Sequence, residues 1–259
     1  MEAMKNIGVF DSGIGGLWIL KQLEKSLPDY NYVFFADQAY LPYGTRSQEE
    51  ITERSFFITD FLISKGCMVI VIACNTATSA SIEKLRAHYP QITFVGIEPA
   101  IKQAVEQSKT GHIGVLATKV TTLGKKLHNT IEKFAQNAEV HSAIGDGLVE
   151  LAEEGKADTD EAEFLLRQYI APLLKYNIDA LVLGCTHYSF FIPRIRKIIG
   201  SDIMIIDPAP AIARRVGQLL SKSRNLPLQN SPSIEFFTSF GDPKNLKEFL
   251  QVLPDRQDL

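Results

Sequence analysis

Seven short apolar runs recur along the chain: Ile7–Phe10, Tyr32–Ala36, Met68–Ala73, Thr93–Ile97, His112–Leu116, Ala180–Gly184 and Asp202–Ile206. Each is four to six residues long, rich in Val, Ile, Leu or Phe, and ends at polar or small residues. Runs of that length and composition read as strands buried on both faces, the pattern of parallel sheets. The stretches between them carry helical spacing. Leu17, Leu20 and Leu23 mark one apolar face; Ile51, Phe56, Phe57, Phe61 and Leu62 mark another before Gly66; Leu165, Ile170, Leu173 and Leu174 line a third. Alternation of strand and helix predicts an α/β fold with mainly parallel sheets flanked by helices.

Two of the runs end in cysteine: Val71-Ile72-Ala73-Cys74-Asn75-Thr76 and Val182-Leu183-Gly184-Cys185-Thr186-His187. Ligands of open α/β sheets sit beyond the carboxyl ends of the strands, so both thiols occupy positions where chemistry takes place. The setting is duplicated. Ile7-Gly8-Val9-Phe10-Asp11-Ser12 matches Ile113-Gly114-Val115-Leu116-Ala117-Thr118 at an offset of 106 residues, and the cysteines are offset by 111. A near-constant, domain-sized offset predicts two pseudosymmetric lobes. Pro99, Pro208 and Pro210 punctuate the ends of the repeats, which places residues 1–98 with 208–259 in a first, discontinuous lobe and 99–207 in a second. The tail supplies a helix near Ile212–Leu220, a polar loop over Ser221–Ser233 and a strand at Ile234–Phe237, all expected to pack back on the first lobe.

At 259 residues and 45% hydrophobic content the chain can bury real cores. A formal charge of −3 without a dense basic cluster gives no electrostatic preference for nucleic acid or an anionic membrane, and leaves a small molecule as the expected ligand. Three cysteines do not make a secreted disulfide framework, and reduced thiols are expected. Residues 1–6 lead straight into a strand and no run approaches a membrane span, so a cytoplasmic location is expected.

Asp11-Ser12-Gly13-Ile14-Gly15-Gly16 falls where the first strand gives way to a helix. Glycines there let the backbone approach a ligand, although the spacing is not that of a dinucleotide fingerprint, and Asp11 and Ser12 could equally cap the helix. Leu41-Pro42-Tyr43-Gly44-Thr45-Arg46 forms a turn whose amides could receive a carboxylate. A thiolate serves as base or nucleophile and a thiol as acid, so Cys74 and Cys185 are the candidate reactive groups, with Asp11 and His187 as neighbours that could tune them. Cys67 reads as a core hydrophobe. No metal-ligand spacing accompanies Cys74, Cys185 and His187, and no Cys-x-x-Cys redox turn is present, so no metal is expected. His88, His112, His128 and His141 lack partnered motifs and read as solvated or structural. Thr118, Thr121 and Thr122 hold the place of Asp11 and the glycines in the second repeat, as ligand contacts or helix caps. Glu150, Glu153 and Glu154 fall on a helical stretch as solvent-facing charges.

Taken together, Asp11-Ser12-Gly13-Ile14-Gly15-Gly16-Leu17, Pro42-Tyr43-Gly44, Ala73-Cys74-Asn75-Thr76-Ala77, Ile97-Glu98-Pro99 and Gly184-Cys185-Thr186-His187-Tyr188 strongly resemble the glutamate racemase family in order and spacing over most of residues 7–210. The opening Asp11-Ser12 is similar to the glutamate branch and not to the aspartate racemases. The resemblance implies a cofactor-independent isomerase of two α/β lobes with the substrate in the cleft between them. It implies that Cys74 and Cys185 exchange the α-proton of D- and L-glutamate, respectively, with Asp11 and His187 assisting. Ser12, Tyr43, Gly44, Asn75, Thr76 and Thr186 would hold the amino and carboxylate groups, Asp11 and His187 would also line the substrate site, and D-glutamate would supply peptidoglycan synthesis. A homodimer is the expected assembly. The chain departs from the family pattern at Ser189, where proline is usual, and at Ser142–Gly147, which precedes the place of the family's acidic residue near Glu153. Thr118, Thr121 and Glu153 are accordingly second-rank site residues. Racemisation of another acidic amino acid, an amino-acid-binding protein without turnover, and a redox or nucleotide-binding protein are the competing readings.

Overall fold

The computed structural model describes residues 6–223, 229 and 231–253. Residues 1–5 and most of the expected polar loop after Ser223 lie outside the described residues. The chain packs as two compact units, one running up to Ile97 and resuming over Ala209–Leu253, the other spanning Glu98–Pro208. Among the described residues nine strands appear in chain order: β1 (Asn6–Asp11), β2 (Asn31–Ala36), β3 (Cys67–Ile72), β4 (Thr93–Gly96), β5 (His112–Ala117), β6 (Glu139–Ile144), β7 (Ala180–Gly184), β8 (Met204–Ile206) and β9 (Ile234–Thr238). Among the described residues no helix is long and apolar enough to cross a membrane.

In the first unit the strand order is β4-β3-β1-β2-β9, and in the second it is β6-β5-β7-β8; every pairing is parallel. Read from the other edge, the second sheet runs β8-β7-β5-β6, the same winding as β4-β3-β1-β2. The duplication seen in sequence is thus a duplication of topology. In each sheet the chain reverses its direction of travel between the first strand and the third, which opens a switch point beyond their carboxyl ends. β9 adds a fifth strand to the first sheet beside β2, and the helix Ala209–Ser223 packs on the helix Gly16–Ser26, so the tail completes the first unit.

The strands follow from their composition. Inner residues of β3 and the whole of β7 are buried, as parallel strands covered by helices on both faces require. On one face of the first sheet, Phe10, Val33, Phe35, Ile70 and Ile72 pack with Ile51, Ile58 and Leu62 of the helix Gln48–Ser64 and with Ala77 and Leu85 of the helix Asn75–His88. The alternating residues Ile7 and Val9 turn to the other face, and Leu17, Leu20 and Leu23 are fully buried. Each such aliphatic side chain contributes roughly 1.5–3 kcal/mol on burial.

Three expectations are corrected. β6 is missing from the seven apolar runs, because it is a half-exposed edge strand in which Glu139, His141 and Ser142 interrupt the apolar pattern. Phe57 does not join the buried face of Gln48–Ser64; it is 53% exposed, since the buried stripe of that helix runs through Ile51, Ser55, Ile58 and Leu62 and Phe57 lies off it. Leu166, not Leu165, is the buried residue beside Ile170 and Leu173 in the helix Asp160–Leu174.

Gly184, the last residue of β7, is paired with Ala117. A Cβ there would lie 2.6 Å from the Ala117 Cβ and 3.3 Å from the Leu116 carbonyl oxygen. Gly184→Ala is therefore expected to cost ~1–3 kcal/mol, measured as a lower urea midpoint with an unchanged denaturant slope.

Candidate active site

Asp11, Asp37 and Cys74 each lie at or just past the carboxyl end of β1, β2 and β3, three adjacent strands. Asp11 is fully buried. Its Oδ1 accepts from the Ser12 amide at 2.8 Å and faces the Ser12 hydroxyl at 3.5 Å, while the Cys74 thiol reaches the same hydroxyl at 3.8 Å. Ser12 thus links the thiol to the carboxylate: the S–H donates to Oγ and the O–H donates to Asp11. The N-cap position of the helix Gly16–Ser26 is Gly15, which brings no side chain of its own to cap it. The glycine requirement is steric at Gly16, where a Cβ would lie 2.6 Å from the Cβ of Asp11.

Cys74 is the N-cap of the helix Asn75–His88, and its Sγ accepts from the Ala77 amide at 3.4 Å. A helix N-terminus and a donated amide favour sulfur that carries negative charge. The next residue, Asn75, is buried with both side-chain polar atoms unpartnered. Orphaned buried polar atoms cost about 1–3 kcal/mol, and a polar ligand would recover that cost.

Tyr43 opens the short 3-10 turn Tyr43–Thr45, and the first amides of such a turn lack internal acceptors. Its hydroxyl donates to Asp37 Oδ2 at 2.5 Å, and burial together with that carboxylate pushes its ionisation well above the ordinary phenol range. Arg54 holds Asp37 through two bonds of 2.9 and 2.8 Å and stacks over the Tyr40 ring at 4.0 Å. The Tyr43 hydroxyl proton is therefore committed to a buried clamp, and what the turn offers a ligand is its backbone. Asp37 and Arg54 were not singled out in the sequence. The signal was available for Asp37, which follows β2 as Ser12 follows β1.

In the second unit Cys185 follows β7, and its Sγ lies 3.8 Å from His187 Nδ1. His187 is almost fully buried, and its Nε2 lies 2.7 Å from Glu153 Oε1. Burial by itself would lower the imidazole pKa; the contacts with Cys185 and Glu153 outweigh it and raise the group well above 6.5. Glu153, a solvent-facing charge by residue pattern and a second-rank site residue by the family resemblance, is mostly buried and ends the helix Leu148–Glu153. The divergent Ser142–Gly147 segment delivers it. Gly147 adopts φ 81° to start the helix, and the Tyr188 hydroxyl donates to the Gly145 carbonyl at 2.8 Å. Ser189 lies inside the 3-10 segment Thr186–Phe191, and Pro193 stands in the first turn of the following helix Ile192–Ile199.

Thr118 caps the short helix Lys119–Leu123 by accepting from the Thr121 amide at 3.4 Å, and the two hydroxyls are 3.1 Å apart. Thr122 Oγ1 is buried without a partner. Thr76 and Thr186 are buried beside their cysteines. Cys67 lies in the core, where burial pushes its thiol up to about 12, so it is unreactive.

A family model described as Asp/Glu/Hydantoin racemase matches residues 18–216. The chain belongs to this racemase family. A curated glutamate racemase from Herpetosiphon aurantiacus is 42% identical over 248 residues, 95% of this chain and 97% of the relative. Two solved racemase structures align closely. The glutamate racemase of Francisella tularensis, in complex with D-glutamate, superposes with a TM-score of 0.85 at 30% identity, covering 97% of this chain and 95% of that one. That of Escherichia coli, in complex with L-glutamate and the activator UDP-MurNAc-Ala, gives 0.84 at 30% identity, with 95% and 94% covered. The two-sheet architecture is that of these racemases.

Within the racemase fold, Cys185 and Glu153 together outweigh the burial of His187 and favour its protonated form to a higher pH than in the unfolded chain. The associated stability is complete below the ordinary value of 6.5 and fades as pH rises through the folded value. In Glu153→Gln, NMR titration of the His187 ring should show a pKa below that of the wild type. An unmoved titration would mean that Glu153 does not hold the proton.

Proposed function

We propose that this chain is a glutamate racemase that interconverts L- and D-glutamate without a cofactor, with Cys74 and Cys185 as its two acid/base groups. The observation that carries the substrate assignment is the 42% identity, over nearly the full length of both chains, with a curated glutamate racemase.

Inversion at a carbon needs a base on one face and an acid on the other. In the proposed reaction Cys185 as thiolate takes the α-proton of L-glutamate, and the Cys74 thiol delivers a proton to the opposite face; the roles reverse for D-glutamate. The carbanion has no pyridoxal sink, so hydrogen-bond donors around its carboxylate must hold the charge. The proposed contacts are Ser12, the Tyr43–Gly44 backbone, Asn75, Thr76 and Thr186. The orphaned Asn75 amide supports this reading, because a bound amino acid would give it partners. Ser12 would pass the influence of Asp11 to Cys74, and His187, held by Glu153, would serve Cys185. The unlike partners of the two thiols suit a reaction run in both directions, since each must be able to give as well as take a proton. The same reading places the product in peptidoglycan synthesis in the cytoplasm and the enzyme as a homodimer.

The test is incubation of the reduced protein with L-glutamate in deuterated buffer without added cofactor. The D-glutamate formed should carry α-deuterium while unconverted L-glutamate initially stays protiated, because the proton delivered comes from a different thiol than the one that abstracts. Cys74→Ser and Cys185→Ser should each lower racemisation by roughly 10²–10⁴-fold or more with an unchanged circular dichroism spectrum. A faster initial rate with L-aspartate would overturn the substrate assignment, and a single-cysteine variant at full rate would overturn the mechanism.

A further inference from the structure

A second cluster of reactive side chains lies in the Glu98–Pro208 unit, at the end of the sheet remote from Cys185. β5 and β6 are paired with His112 opposite Glu139 and Gly114 opposite His141. Side chains alternate across a strand, so His112, Glu139 and His141 share one face at the amino-terminal half of both strands, whereas Cys185 follows the carboxyl end of β7. His112 Nδ1 and His141 Nε2 are 3.3 Å apart. Glu139 Oε2 lies 3.7 Å from the first and 3.8 Å from the second. The His141 ring is held in place by Tyr176, stacked on it at 3.8 Å between centroids and 9° between planes.

These separations match a coordination sphere. Two nitrogens bound at ~2.0–2.1 Å to a tetrahedral ion lie roughly 3.3–3.4 Å apart, which is the spacing of the two imidazole nitrogens. The carboxylate oxygen stands a few tenths of an ångström farther out, and Glu139, whose side chain is 71% exposed, is free to close that gap. Two imidazoles with one carboxylate are a borderline donor set suited to zinc and its neighbours, while magnesium and calcium prefer oxygen ligands alone.

We propose that His112, Glu139 and His141 form a binding site for one divalent transition-metal ion of the zinc type, with water completing its coordination. The ion would tie the half-exposed edge strand β6 to β5. β6 leads through Gly145-Asp146-Gly147 into the helix that ends at Glu153, so occupancy would stiffen the segment that delivers the carboxylate to His187. The site is independent of the racemase reading.

The buried thiols are themselves metal ligands, so the test must separate the two. Cobalt(II) titrated into the reduced full chain should bind at one equivalent, with the visible spectrum of nitrogen and oxygen ligation and no thiolate charge-transfer band. Zinc should displace it and raise the melting midpoint. His112→Asn, His141→Asn and Glu139→Gln should each weaken binding by at least about tenfold and abolish the midpoint rise. The Cys74→Ser/Cys185→Ser double variant should retain both effects. Glu139→Gln is at an exposed position and leaves the fold intact, so it decides the matter even where a histidine variant is unstable. Binding that survives in all three ligand variants, that vanishes in the cysteine double variant, or that fails to saturate would overturn the proposal and leave the trio as a hydrogen-bonded pair of rings beside a surface carboxylate.

Discussion

The parallel pairing of the first strand with the third, once in each unit, is the constraint on which the rest of the site depends. Phe10 opposite Ile72 brings the Asp11-Ser12 turn beside Cys74, and Ala117 opposite Gly184 brings Thr118 level with Cys185. A slip of one residue would turn each cysteine to the other face of its sheet. The register is held by apolar strands buried on both sides, where such a slip would also misplace every Val, Ile and Leu of the core. The hydrophobic effect fixes the frame, and the frame places the polar groups.

Those polar groups are costly where they stand. Asp11, Asp37 and His187 are buried at the ends of sheets whose interiors are apolar. Each is offset by specific partners: Ser12 for Asp11, Tyr43 and Arg54 for Asp37, Glu153 and Cys185 for His187. The buried networks are therefore nearly closed, and the exceptions carry the information. Asn75 and Thr122, beside the switch points of the first and second sheets respectively, keep polar atoms without partners. An unsatisfied buried amide next to a thiol at a helix N-terminus supports the proposed substrate contact there, since a bound molecule would bring the missing hydrogen bonds.

The two units use one winding but different chemistry at the thiol. In the first, sulfur meets a hydroxyl and a helix amide; in the second, it meets an imidazole backed by a carboxylate. The two units share one topology, which is set by strands that tolerate any apolar residue of suitable size. The side chains at the strand ends differ: Asp11-Ser12 stands at the end of the first strand of one unit where Ala117-Thr118 stands at that of the other.

Most of the fold was legible because parallel strands advertise themselves as short apolar runs and their helices as periodic faces. The edge strand Glu139–Ile144 escaped because half of it faces water, and its charged and polar residues erase that signal. Of the site, the sequence by itself determined the strand-end positions of Asp11, Cys74 and Cys185, since each directly ends an apolar run. It ranks Glu153 only among the second-rank site residues and offers no reason to join Tyr43 to Asp37 and Arg54, or His112 to Glu139 and His141. Those associations were decided only by tertiary structure. They link residues on different elements, and the register and packing that bring them together are properties of the assembled sheet and leave no mark on local spacing.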